Sequence, residues 1–400
     1  MLRSLFSGIS GLKAHQTMLD VAGNNIANVN TTGFKASQTQ FQDTLSQVIT
    51  NAASAAPGVG GTNPAQVGLG VRVAGITTNF TQGAAQLTNR STDMMINGDG
   101  FFTVRSGAEQ FYTRAGSFNF DSVGQLVTAD GALVQGWAAV NGVVNPNGPL
   151  TDIQLPISTL MGAKGTTKAT FVGNLPSDAA DGTVLTKAID VFDALGNTRG
   201  LTLTFTKAAG AWTLNAADGA ASYPTPPALP TGVTFDAAGA ITSPTTFSIG
   251  TAPDQVAVDL SSLTGFAGVS TVAAMSQDGQ EAGNLQSFSL APDGTLLGSF
   301  SNGLKQAIGQ LSMATFTNPT GLEKAGGSMY RSTVNSGIAQ VGVAGTGGRG
   351  KLAGGSLEMS NVDLSAEFTN LIIAQRGFQA NSRVITTSDE LLQELVNLKR

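Results

Sequence analysis

Apolar residues open this chain at intervals that ask for a partner helix. Leu5, Ile9, Leu12, Gln16, Leu19, Gly23 and Ile26 fall at alternating steps of four and three, the seam spacing of paired helices. Ser4, Ser7, Ser10, Lys13, Thr17 and Asp20 occupy the other faces, and no proline intervenes before the turn formers Asn28-Val29-Asn30-Thr31-Thr32-Gly33. A rod from Leu2 to Asn28 spans about 40 Å and cannot bury such a stripe alone. The far end offers the match. After Asp363, a natural N-cap, Leu364, Phe368, Leu371, Gln375, Phe378, Ser382 and Ile385 repeat the four-three steps. Leu391, Leu392, Leu395 and Leu398 carry an apolar face onward. The pattern predicts a coiled-coil-like core module built from both chain ends, 1–35 and 363–400. Its packing residues are expected to be Leu5, Ile9, Leu12, Leu19, Ile26, Leu364, Phe368, Leu371, Phe378, Ile385, Leu392 and Leu395. Gln16, Gln375 and Ser382 weaken that seam, so both ends are expected to be largely disordered until assembly orders them.

Between the helices the grammar is β. Thr44 to Gly70 loses apolar rhythm around Ala52-Ala53-Ser54-Ala55-Ala56-Pro57-Gly58, and 36–70 with 356–362 is expected to be a compliant linker. Strand runs then alternate with Asp-Gly and Asn-Gly turns, as in Phe101-Phe102-Thr103-Val104 and Thr128-Ala129-Asp130-Gly131. The same grammar returns at Phe288–Phe300 and Ile308–Phe316. One discontinuous inner domain is therefore expected from 71–145 and 284–355. The segment 146–283 is richer in Thr, Ala and Pro, with a hairpin at Ala188–Phe205 turning near Gly196-Asn197, and predicts an inserted β-sandwich or small barrel. Pro224–Pro230 is too proline-dense for a central strand. The fold class is mainly β with terminal α-helices.

Composition narrows the function. Charged residues are 12% of the 400, with 21 Lys and Arg against 26 Asp and Glu, which argues against a nucleic-acid surface. No run of apolar residues is long enough to span a membrane. No cysteine is present, which removes thiol chemistry, disulfides and sulfur-ligated metals. The opening residues lack the apolar core of a cleaved secretory signal. His15 is the single histidine and falls between seam positions, so it reads as a packing or surface residue. Neither a Ser-His-Asp arrangement nor a histidine metal cluster can be built, and no cofactor is implied. Asp178 with Asp181, or Asp190 with Asp193, could form a glycosidase-like pair in principle, but solvated turn acids are the default. Asn97-Gly98-Asp99-Gly100 lacks the full phosphate-cradle pattern and reads as a plain turn. No enzyme is expected.

Two stretches carry a family resemblance. Ser7-Gly8-Ile9-Ser10-Gly11-Leu12 followed by Asp20–Lys35, with Asn24, Asn25, Ala27, Asn28, Gly33 and Phe34, resembles the N-terminal signature of bacterial flagellar rod and hook axial proteins. Ala353–Leu364 and Ala374-Gln375-Arg376-Gly377-Phe378-Gln379-Ala380-Asn381 resemble the C-terminal signature of the same family. The resemblance implies a structural subunit that polymerises with itself into a curved hollow tube, a universal joint between motor and filament. It also implies rod, hook-cap and hook–filament junction proteins as partners, with delivery outside the cell by the flagellar type III export apparatus. A distal rod protein is the alternative within the family, and the length of the inserted 146–280 segment favours the hook. A secreted β-rich glycan-binding protein is the alternative outside it, weakened by the scarcity of aromatics such as Trp137 and Trp212.

Overall fold

The computed structural model describes residues 2–54, 57–58, 60–155, 161–218, 221–223, 232–250 and 255–397. Helix α1 (Leu2–Ala27) opens the chain and α2 (Leu364–Asn397) closes it. The described residues between them are strands and turns, with one short 3-10 turn at Pro319–Gly321. Two compact units result: Met1–Leu155 with Phe288–Leu297 and Ala307–Arg400, and Pro156–Ser287 with Gly298–Gln306. The proline-dense segment 224–230 lies outside the described residues.

In the first unit, α1 and α2 pack together, where sequence reasoning expects ends largely disordered before assembly. The strand Leu133–Val140 pairs with Phe101–Ser106 through Val134 and Val104, and with Lys305–Leu311 through Gly136 and Leu311. Met313 pairs with Phe102 and Lys351 with Asn97, so distant halves of the chain share their ladders. Alternation along these strands aims Met94, Ile96, Phe102, Val104, Phe118, Val134, Leu296, Leu311 and Met313 into one core. A second cluster is aromatic: Phe101, Tyr112, Phe316 and Tyr330, with Phe80 packed against them. Phe101 meets Phe316 and Tyr330 edge-on at 5.8 Å, the favoured geometry for ring quadrupoles. Asn97-Gly98-Asp99-Gly100 is a turn between two strands, with Gly98 and Gly100 both at positive φ.

The stretch read as a linker is more ordered than its composition suggests. Ser37–Asp43 pairs with Val71–Thr78, Ser46–Thr50 with Ala65–Gly68, and Ser356–Glu358 with Ala85–Leu87. The first pair lies against α1: Ser10 Oγ accepts the Val71 N–H at 3.2 Å while donating to the Ser7 carbonyl at 2.8 Å. Small and polar residues suffice for a ribbon that is only half-buried, so hydrophobicity signals little there.

The second unit is a β-sandwich. One sheet orders Thr246–Ile249, Val256–Thr264, Lys168–Asn174 and Ala273–Gln277. The other orders Val184–Phe192, Thr198–Ala208, Ala211–Asp218 and Ala221–Tyr223. The first contains a parallel pair, Lys168–Asn174 with Val256–Thr264, which a reading by consecutive hairpins misses. Phe171, Val191, Leu203, Phe205, Trp212, Val258 and Leu260 fill the space between the sheets. The expected hairpin pairs Ile189 with Leu201 and Phe192 with Thr198. Its turn is held by Asp193, which accepts the N–H groups of Leu195 and Asn197.

Asp278 stitches this sandwich together. Its Oδ1 accepts the Thr167 and Lys168 N–H groups at 2.8 and 2.7 Å, and its Oδ2 accepts the Thr167 hydroxyl at 2.6 Å. Burial alone raises the carboxyl, but these bonds and Lys164 outweigh it and hold Asp278 at about 2 against an ordinary 3.8. The unfolded chain therefore binds this proton more readily than the folded one. Stability from Asp278 is fully present above about pH 4 and is lost as pH falls toward about 2. Thermal melts across that window should show the sandwich weakening in acid, and Asp278→Asn should flatten the response.

Candidate functional site

The terminal helices carry exposed apolar side chains along their length. Asp363 caps α2 as expected, accepting the Ser365 and Ala366 N–H groups on Oδ1 at 2.9 and 3.3 Å. At the end of α1, Asn28 Nδ2 donates to the Asn24 carbonyl, and Thr31 Oγ1 donates to Asn28 Oδ1. These bonds stop the helix at the asparagine cluster.

The contact between α1 and α2 is centred beside the predicted stripe and draws Ile385 from it. Gly8, Gly11, Ala14, Ala22 and Asn25 are the buried positions of α1, and Glu367, Ala374 and Ser388 those of α2. Gly8 packs on Ile385 and the Asn381 carbonyl, Gly11 on the Asn381 side chain, and Gly377 on the His15 ring. Most of these positions precede the predicted ones by one residue: 8, 11, 22 and 25 in place of 9, 12, 23 and 26. One step is about 100° around a helix, so the real seam lies on the flank of the expected one. The reason is steric: small residues bring the two helix axes closer than leucine would.

That shift leaves the apolar residues of the expected stripe beside the seam. Leu5, Ile9, Leu12, Leu19, Ile26, Leu371, Phe378, Ile385 and Leu392 are half-buried. Leu364 is exposed, and Phe368 is 51% exposed with Ile372 at 56% on the same flank. Ile373, Val384 and Leu391 are exposed on the other flank. Leu395 lies within α2, with its side chain outside the described residues. A helix apolar on both flanks of its seam is suited to more than one neighbour.

Where the helical arms meet the β-strands, the sequence reading missed a buried charge cluster. Lys35 and Glu358 are fully buried as side chains, and Arg114 is nearly so. Lys35 Nζ donates to Glu358 Oε1 at 2.5 Å and to the Thr81 carbonyl at 2.7 Å. Glu358 Oε1 also accepts the Gly83 N–H at 2.9 Å, and Oε2 faces Arg114 Nη1 at 3.5 Å. Arg114 lies over the Phe101 ring. Burial holds both Lys35 and Arg114 below their ordinary pKa values, with Glu358 opposing that shift in each. The sequence signal for the cluster was a charge within each signature stretch, at Lys35 and Glu358.

Signature residues knit the same junction. Asn25 Nδ2 donates to the Ser37 carbonyl at 2.8 Å and to Glu367 Oε1 at 3.0 Å, while Asn25 Oδ1 accepts the Ser37 N–H. Gly33 adopts φ +66° and lies so close to the Arg114–Ala115 backbone that a Cβ would meet the Ala115 nitrogen at 2.5 Å. Phe34 receives the Lys324 ammonium over its ring at 4.9 Å. Asn381 Nδ2 donates to the Gly377 carbonyl. Asn24, Ala27, Gln375 and Arg376 are exposed.

The candidate chemistry residues take structural positions. His15 packs against Gly377 and edge-on to Phe41 at 5.8 Å. Asp178 accepts the Gly268 N–H and Asp181 the Gly210 N–H. Asp190 lies on the strand Val184–Phe192, and Asp193 holds the turn that follows. Trp137, Trp212, Tyr112 and Tyr330 are all buried in cores, which takes them away from any sugar-stacking platform.

Comparison with known proteins gives matches along most of the chain. Residues 5–35 match the flagella basal body rod protein family and 353–398 the C-terminal family of flagellar basal body rod FlgEFG proteins. Residues 95–170 match the flagellar hook protein FlgE/F/G D1 domain, and 163–280 the flagellar basal body protein FlaE D2 domain. The chain is 41% identical to the flagellar hook protein FlgE of Borreliella burgdorferi over 445 residues, covering all of both. It is 36% identical to the flagellar basal-body rod protein FlgG of Bacillus subtilis over 401 residues, again covering all of both. A rod-named relative of matching length removes length as the discriminator between hook and rod. The crystal structure of Helicobacter pylori flagellar hook protein FlgE2 shares the fold, with a TM-score of 0.52 at 14% identity, covering 68% of this chain and 99% of that one.

The charge cluster makes a direct prediction. Glu358→Gln keeps the shape but leaves Lys35 a buried cation without a counter-charge and Arg114 with only Asp99. Loss of one partner from such a cluster costs about 3–5 kcal/mol. Urea unfolding of the full chain should show a loss of that order.

Proposed function

The chain belongs to the flagellar hook protein family, and from that premise we propose that it is a structural subunit of the bacterial flagellar hook, copies of which polymerise into a curved tube. The observation that carries this reading is the apolar surface that α1 and α2 keep after packing on each other. Leu364, Phe368 and Ile372 on one flank, and Ile373, Val384 and Leu391 on the other, remain available to the helices of other copies. Covering such surface stabilises by about 25 cal/mol per Å² of apolar area.

The β-rich units then become outward cladding. Their strands carry few charges, and their contacts with neighbouring copies can exchange partners while the helical core bears torque. That division of labour lets a tube bend as it turns. On this reading, rod, hook-cap and hook–filament junction proteins abut the ends of the tube, and the flagellar export apparatus delivers the subunits. The location is the flagellar hook, and among the described residues no helix is long and apolar enough to cross a membrane. The relatives are named as structural flagellar proteins, and a structural role needs no catalytic group.

A distal rod subunit is the second reading, favoured by the match to the Bacillus subtilis rod protein. The higher identity to the Borreliella burgdorferi hook protein favours the hook. Polymer shape separates them. Purified full-length protein under polymerising conditions should give short curved tubes in negative-stain images, whereas straight, stiff tubes would favour the rod. Deleting residues 2–27 and 364–397, which leaves Lys35, Arg114 and Glu358 in place, should abolish polymerisation while the β-rich remainder stays folded by circular dichroism.

A further inference from the structure

A cavity of about 190 Å³ opens where α1, the strand Ser37–Asp43 and the first turns of α2 meet. Met18 and Val21 form one wall, Ser37–Gln40 another, and Glu367 and Asn370 the third. Glu367 is more than nine-tenths buried there. Its carboxylate receives one side-chain hydrogen bond, from Asn25 Nδ2 onto Oε1 at 3.0 Å. Among the described residues no cation pairs with it. The hydroxyl of Thr39, which lines the same cavity, is buried without a hydrogen-bond partner. A buried carboxylate is costly without a counter-charge, and the positive end of the α2 dipole supplies only part of one.

The complementary charge is on the same helix, facing the wrong way. Arg376 and Arg383 are exposed, and neither has an acidic partner among the described residues; Arg376 reaches only Gln379, at 3.4 Å. Nine residues separate Glu367 from Arg376, which at about 100° per residue places them on opposite faces of α2. Within one chain they cannot meet. Acid on one face and base on the other is a heterologous arrangement, and heterologous contacts propagate into open helical polymers.

Resting on the subunit reading above, we propose that in the polymer the cavity receives the guanidinium of Arg376 or Arg383 from a second copy of this chain, paired with Glu367. The planar fork of arginine suits a carboxylate in the wall of a small polar cavity, which the Thr39 hydroxyl also lines. The contact also fixes direction, because the donor and acceptor faces differ.

The test measures the lowest protein concentration at which full-length chains sediment as polymer. Glu367→Gln keeps the acceptor for Asn25 and removes only the charge. It should raise that concentration by about tenfold, the order of a desolvated charge pair, with monomer helix content unchanged by circular dichroism. Arg376→Gln or Arg383→Gln, exposed in the monomer, should produce the same rise. Combining the effective one with Glu367→Gln should add nothing further. Polymerisation of Glu367→Gln at the wild-type concentration would overturn the pairing, leaving water, Asn25 and the helix dipole as sufficient partners. Effects that multiply in both double variants would overturn it too. A wild-type chain that never polymerises would instead sink the subunit reading, and the pairing with it.

Discussion

A single buried carboxylate, that of Glu358, ties the first and last segments of this chain to its β-strands. Lys35 reaches it from the segment after α1, Gly83 from the loop before Ala85–Leu87, and Arg114 from the strand region of the aromatic cluster. Charges taken out of water tolerate little misplacement, because each lost partner exposes the full desolvation penalty. The cluster therefore favours one arrangement of the helical arms against the strands. Asn25 and Gly33 repeat the logic with neutral groups: an amide bonded on both its atoms, and a backbone approach that leaves no room for a Cβ. The asparagine and glycine of the signature thereby make the junction stiff.

The helical pair follows a different principle. Its seam is close-packed but small, built from glycine and alanine with Asn25, Glu367, Asn381 and Ser388 among them. Such a seam buries little apolar area per residue, so the large apolar side chains remain on the flanks. On the subunit reading, the large apolar side chains on the flanks are then free of the intramolecular seam. A leucine seam would have satisfied the pair and left less to hold a tube together.

The sandwich of the second unit is ordinary by comparison, and its mechanics are set by turns and backbone bonds. Asp193, Asp236 and Asp278 each accept N–H groups of nearby backbone. Of the acids that sequence reasoning weighed as a possible catalytic pair, Asp193 forms a turn, Asp178 and Asp181 accept distant backbone N–H groups, and Asp190 lies on a strand. Their positions answer to strand geometry.

Much of the architecture was legible in the amino-acid order, because periodicity and turn chemistry are local. The two terminal helices, the Asp363 cap, the hairpin near Gly196-Asn197 and the shared strands of the discontinuous β region follow from spacing of three to four, from alternation by two, and from glycine at turns. The seam did not. Hydrophobic patterning weights large apolar residues, and helix axes approach where residues are small, so the pattern pointed one position away from the contact. The ribbons within 36–70 escaped notice because strands exposed along most of their length need few hydrophobes. The pairing of Lys35 with Glu358 joins residues more than three hundred positions apart, and no local rule links them. Sequence alone determined the two helices and the strands that alternate large apolar residues; the tertiary structure decided which face of each helix is shared, and where charge could be buried, since both depend on distances that only the folded chain sets.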